Sequence, residues 1–256
     1  MRRLHERSYM SDEAGKNEFA GVPVVVVGAH AGTGPSVVRA FVTQGARVAA
    51  GVIGDAGSAA PLDGAVNIAA NLGNTDSVRT FFDACEKALD GLSVVVLVAP
   101  PVKTKSALDF TELEYRSVIE SELMAPILCM QEAARRLVGK GGGRIISFAS
   151  MSAKTGVHKN VAPYAAAKGG LITFSRVLAA ELAHTGVTVN VIATALMDVQ
   201  VAKKSAEELA EIVKGIPVGR VGHSDEAAHA VLFLASEKAG YVTGETLSLS
   251  GGRFMD

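Results

Sequence analysis

A doubly wound α/β domain built on one parallel sheet is the fold class this sequence predicts, and three features predict it. Short, continuously apolar segments recur, as in Ser93-Val-Val-Val-Leu-Val-Ala99 and Val187-Thr-Val-Asn-Val-Ile-Ala193, and strands of this kind suit a parallel sheet covered on both faces. Stretches of helical period separate them, the alternation that crossover connections require. The first apolar run, from Val22 to Val27, breaks at Gly28-Ala-His-Ala-Gly-Thr-Gly34 and leads into a helical pattern from Ser36 onward, which reads as strand, tight turn and helix.

The same criteria place strands at 22–28, 46–52, 65–70, 93–99, 143–149, 187–193 and 245–250, seven in all. Two long helices are expected at about 111–138 and 163–184, and a third helical pattern runs between Pro217 and Ser236. A chain of 256 residues is long enough for one α/β domain with a large core. Residues 1–18 are polar, lack the apolar core of a signal peptide or membrane span, and are expected to be a flexible extension ahead of a domain at 19–256. The net charge is −1 and no basic face is visible, so neither nucleic acid nor a membrane is an expected partner. Cys85 and Cys129 have no metal-ligand or paired spacing, so they read as reduced, buried thiols of a cytoplasmic protein.

Two motifs carry chemistry. Gly28, Gly32 and Gly34 let the backbone approach a pyrophosphate and leave the positive end of the following helix directed at it, although their spacing is not the general G-x-G-x-x-G. Tyr164-Ala-Ala-Ala-Lys168 sets a phenol and an ammonium one helical turn apart, with Ser150 upstream across a loop. A positive charge near a phenol favours the phenolate, so Lys168 is expected to draw the Tyr164 pKa down from about 10. A hydroxyl so tuned is a general acid/base, and Ser150 supplies a second hydroxyl to hold a substrate oxygen.

The glycine turn, the serine, the Tyr-x-x-x-Lys and their order closely resemble the short-chain dehydrogenase/reductase family, in its 3-oxoacyl-acyl-carrier-protein-reductase-like branch. The resemblance runs from Phe19 to Gly252 and includes the stretches at 142–150, 178–193 and 217–236. It implies a Rossmann-type single domain, NAD(H) or NADP(H) as cofactor, and Ser150, Tyr164 and Lys168 as catalytic residues. It further implies cofactor contacts from His30 and Thr33 in the glycine turn, from Asn71 and Leu72 after the third strand, from Ala99 after the fourth, and from Thr194 and Met197 after the sixth. Met151, Ser152 and Val157 are the candidate substrate contacts, and about 196–216 resembles the family's lid. Ser152 is an alternative hydroxyl, but Ser150 aligns with the end of the fifth strand.

Departures from the pattern are equally specific. Val52-Ile53-Gly54 stands where an acidic or basic residue usually selects NAD or NADP, and Asp55 reads as a loop residue. Ala99 and Pro100 replace amides that brace the sheet. Glu122 occupies the place of the family's fourth catalytic residue, an asparagine that holds a water; it could hold that water, pair directly with Lys168, or sit on an exposed helix face.

The resemblance implies an oxidoreductase that interconverts a secondary alcohol and a ketone on a small, largely apolar substrate. A non-redox enzyme of the same fold, doing lyase, isomerase or dehalogenase-type work, or a nucleotide-sensing protein with a decayed site, is the alternative. Family members are mostly homotetramers or homodimers built on the two long helices, and the same assembly is expected.

Overall fold

The computed structural model describes residues 17–255, apart from residues 55, 56, 58, 101, 103 and 157. The expected extension, up to residue 16, and both Asp55 and Val157 lie outside the described residues.

In chain order the elements are β1 (Pro23–Val27), α1 (Gly34–Thr43), β2 (Arg47–Ile53), β3 (Ala65–Ala70), α2 (Thr75–Leu89), β4 (Val94–Leu97) and α3 (Glu112–Ile119). They continue with a π-helical turn (Glu120–Met124), α4 (Ala125–Leu137), β5 (Gly143–Ser150), α5 (Ser152–Thr155) and α6 (Ala162–Leu182). The last are β6 (Val187–Thr194), α7 (Asp198–Val201), α8 (Ala206–Lys214), α9 (Ser224–Ala235) and β7 (Thr246–Leu249). The strands form one sheet in the order β3-β2-β1-β4-β5-β6-β7, and every pairing is parallel.

The continuous apolar runs exist because both faces of this sheet are covered. Along β1, Val24 and Val26 pack with Val37, Val38 and Phe41 of α1 and with Val231 and Leu234 of α9. Val25 and Val27 face the other way, toward Phe81 and Phe82 of α2, Met130 of α4 and Leu171 of α6. Side chains alternate across a strand, so a valine run supplies both layers at once. Phe19 anchors the start of the domain edge-on against Phe41, with ring centroids 5.1 Å apart.

The helix expected over 111–138 is interrupted. Pro126 has no N–H to give to the Glu122 carbonyl four residues back, and the chain widens there: the Ala125 N–H reaches the Glu120 carbonyl instead. The stretch at about 196–216 that resembles the lid holds two short helices, α7 and α8.

At the far edge, Asn190 of β6 is fully buried; its amide donates to the Val242 carbonyl at 2.8 Å and its side-chain oxygen accepts from the Glu245 N–H at 3.0 Å. These bonds fix the entry to β7. Asn190→Leu strands both backbone groups and is expected to lower the unfolding free energy by about 2–4 kcal/mol, read from denaturant melts. Cys85 and Cys129 are free and buried in the α2–α4 layer, and burial pushes both thiols up to about 12. Among the described residues no helix is long and apolar enough to cross a membrane.

Candidate active site

Strand order reverses between β1 and β4, and in open α/β sheets a ligand crevice lies at such a point, beyond the carboxyl ends of the strands. The glycine turn sits there, and its geometry suits a pyrophosphate. Gly28 and Gly32 take φ of +73° and +50°, and a Cβ on Gly34 would lie 2.4 Å from the Ala29 carbonyl oxygen. Thr33 begins α1 as a buried residue with no side-chain cap, and no acidic residue occupies the first turn. Within that turn the Gly34 N–H donates to the Ala31 carbonyl at 2.8 Å and Pro35 has no N–H, which leaves the Ser36 N–H and the positive end of α1 to face an anion.

Four side chains meet beside this turn. Ser150 ends β5, directly opposite Thr194 on β6, and its hydroxyl lies near enough to the Tyr164 phenol, in the first turn of α6, to favour the phenolate. Ser150 Oγ also accepts from the Ser152 N–H at 3.1 Å. Ser152 thus helps to aim Ser150, and the choice between the two hydroxyls is made by strand register. Lys168 lies one turn further along α6, with Nζ 5.7 Å from the centre of the Tyr164 ring, and is 1 % exposed. Glu122, 5 % exposed, reaches the same point from the π turn and places Oε2 3.0 Å from Lys168 Nζ. Oε2 has no partner of good hydrogen-bond geometry, so the contact is chiefly ionic.

The electrostatics reverse one sequence expectation. Burial and the Glu122 carboxylate push the Tyr164 phenol well above its usual range, with only the Ser150 hydroxyl pulling down. Burial lowers the Lys168 pKa, and Glu122 restrains that fall. The ammonium is neutralised by its nearer partner, so the expected lowering of the Tyr164 pKa is absent from this arrangement.

Tyr164, Lys168 and Glu122 open onto a cavity of about 820 Å³ that continues past Val118 and Ala99 to Leu72 and Ile53. Its lining is mainly apolar. Ile53, 58 % exposed, stands where a ribose-reading acid or a phosphate-reading base was sought. The outer wall includes Phe110 and the Lys105–Glu114 ion pair at 2.8 Å. That loop is tied to the segment before Tyr164 by the Lys105 N–H, which donates to the Asn160 carbonyl at 2.8 Å. Sequence reasoning missed this wall, because its residues have no motif and meet only through the fold.

Other sequence-predicted residues fall differently. Met151 is buried beneath the site and offers no surface to a substrate. Met197 turns into the core against α9, and its N–H donates to Gln200 Oε1 at 2.9 Å. The Asn71 side-chain oxygen accepts from the Gly73 N–H at 3.1 Å, closing its own turn, while Leu72 beside it lines the cavity. His30 Nε2 donates to the Ala60 carbonyl at 2.9 Å, tying the glycine turn to the β2–β3 loop.

The crystal structure of a short-chain type dehydrogenase/reductase from Mycobacterium marinum superposes with a TM-score of 0.84 at 28 % identity, over 93 % of this chain and 97 % of that one. The family profile described as Enoyl-(Acyl carrier protein) reductase matches residues 28–253. The chain belongs to the short-chain dehydrogenase/reductase family. Within it, the chain is similar to 3-oxoacyl-(acyl-carrier-protein) reductase FabG of Escherichia coli, 33 % identical over 242 residues, covering 93 % of this chain and 99 % of the relative. It is likewise similar to 3-oxoacyl-(acyl-carrier-protein) reductase MabA of Mycobacterium avium, 34 % identical over 94 % of this chain and 93 % of the relative. As a short-chain dehydrogenase/reductase, the protein is a nicotinamide-dependent oxidoreductase.

Proposed function

We propose that this short-chain dehydrogenase/reductase interconverts a ketone and a secondary alcohol on a small, largely apolar molecule, with Tyr164 as the proton-transfer group. The observation that supports the reading best is the placement of Tyr164 in the first turn of α6, opening onto the cavity with Lys168 buried one turn further along. The names of the relatives point the same way, since a 3-oxoacyl group carries a ketone.

The bound dinucleotide supplies or accepts a hydride. In reduction, Tyr164 gives its proton to the carbonyl oxygen while the Ser150 hydroxyl steadies that oxygen, and in oxidation Tyr164 takes the proton back. Lys168 lies within reach of the same face of α6 and would hold the nicotinamide ribose. The glycine turn and the first turn of α1 would hold the pyrophosphate, and Leu72 and Ala99 would flank the adenine. Few charges line the cavity, and Lys105 and Glu114 neutralise each other, which favours an apolar substrate over a polyanion. Met124 and Val177, exposed near and on the two long helices, support a homodimer or homotetramer built on that face, to be checked by light scattering.

Titration with NADH and with NADPH, followed by nicotinamide fluorescence, tests the cofactor reading. Gly32→Asp is the control: aspartate tolerates the left-handed backbone there better than most residues, and its carboxylate repels a pyrophosphate. Binding in the micromolar range that is lost in the control, followed by turnover of a ketone, is the expected result. Absence of binding by both dinucleotides would overturn it.

A further inference from the structure

We infer that Glu122 is a positioning residue: by pairing with Lys168 inside the site, it keeps the Tyr164 phenol protonated into the alkaline range, so that the resting site is set as an acid. The inference rests on the reading of Tyr164 as the proton-transfer group.

The geometry carries it. Lys168 Nζ stands 3.0 Å from Glu122 Oε2 and 5.7 Å from the centre of the Tyr164 ring, and both charged groups are buried. Seen from the phenol, the lysine is not a lone cation but one end of an ion pair, and the two fields largely cancel. A buried phenol with no net positive charge beside it resists ionisation, because burial disfavours the charged form. The position of the carboxylate is no accident of a long side chain. The π turn at Glu120–Met124, imposed by Pro126, opens the helix where Glu122 turns inward, and such turns are frequent at functional sites.

Few other charges face the phenol. Ser150 on β5 contributes a neutral hydroxyl that favours the phenolate, in opposition to the carboxylate. Lys105 and Glu114, on the outer wall, form their own exposed ion pair, and Glu120 is exposed on the rim of the cavity. Burial comes first in holding Tyr164 protonated, and Glu122 is the charged group that adds most to it.

The consequence is a pH profile. Reduction, which needs the phenol, should persist to high pH. The rising limb of oxidation, which needs the phenolate, should be displaced to high pH by the same amount.

Tyrosine labelled with ¹³C at Cζ reads the phenol directly in the cofactor-free protein. The chain has four tyrosines, and the Tyr164 signal is the one lost in Tyr164→Phe. In the unmodified protein that signal should remain in its protonated position at about pH 10.5, where an ordinary tyrosine is mostly ionised. Glu122→Gln should bring ionisation down by about one pH unit or more, whereas Glu122→Asp, which keeps the charge, should titrate close to the unmodified protein. Glu122→Asn replaces Glu122→Gln if the latter does not fold. An unchanged titration in the neutral variants, or a phenol already ionising in the ordinary range in the unmodified protein, overturns the inference. In turnover, the neutral variants should shift the oxidation limb to lower pH by the same interval as the NMR titration. Because the titration needs no cofactor, its result stands apart from any failure to turn over a ketone, which would instead count against the oxidoreductase mechanism.

Discussion

Tyr164→Phe is expected to lower kcat by about 10²–10⁴-fold while leaving the fold and dinucleotide affinity in place, because it removes a proton donor and keeps the ring. The ring packs beside Lys168 at the start of α6, so its retention preserves the local packing. Ser150 keeps its place by accepting from the Ser152 N–H. Steady-state rates on an accepted ketone, set beside thermal melts, check this. A variant that keeps most of its rate would show that another group moves the proton. Ser152→Ala makes a companion test, since only the backbone of Ser152 touches Ser150, and near-normal turnover is expected of it.

Lys168→Met should have a comparably large effect, on stability as well as rate. It leaves the Glu122 carboxylate buried with no counter-charge, and breaking a buried ion pair in this way costs about 3–5 kcal/mol. Replacing both members, as Lys168→Met with Glu122→Leu, removes the stranded charge and should recover most of that loss, since apolar replacement of a whole buried pair is often neutral. Turnover should not recover, because the ammonium that would hold the nicotinamide ribose is gone. Denaturant melts of the parent, the two single variants and the double variant form a complete cycle. Strict additivity of the two single effects would show that the pair is not energetically coupled.

The first of these experiments was suggested by the sequence alone; for the second the sequence offered the Glu122–Lys168 pair as one of three possibilities, and the fold selected it. Tyr164 and Lys168 share a helix, and their separation of four residues places them on one face by helical geometry alone. Glu122 lies 46 residues before Lys168 in the chain, with two helices and a strand between the motifs. The expectation for Lys168 reversed for the same reason: from its own helix it has only Tyr164 to act on, whereas in three dimensions a carboxylate stands closer.

The remaining differences have a similar source. Met151 was a candidate substrate contact, but side chains alternate along a strand end and its own turns into the core, whereas Met197 was expected through its backbone, and its N–H is engaged by Gln200 Oε1. Asn71 was expected beside the adenine; its side-chain oxygen also closes a local turn by accepting from the Gly73 N–H, as asparagine is prone to do. A signal for the interrupted helix was present in Pro126, whose missing N–H bears on the residue four places back, which is Glu122.

The sequence by itself determined the seven strands, their parallel arrangement, the glycine turn and the family. Each depends on short-range patterns: apolar runs that feed two buried layers, glycines where a side chain would collide, and two residues one helical turn apart. Only the tertiary structure decided how the site is charged, which hydroxyl Tyr164 meets and what walls the cavity. Those outcomes depend on distances between residues far apart in the chain, and electrostatic strength is set by distance and burial together, neither of which a linear sequence contains.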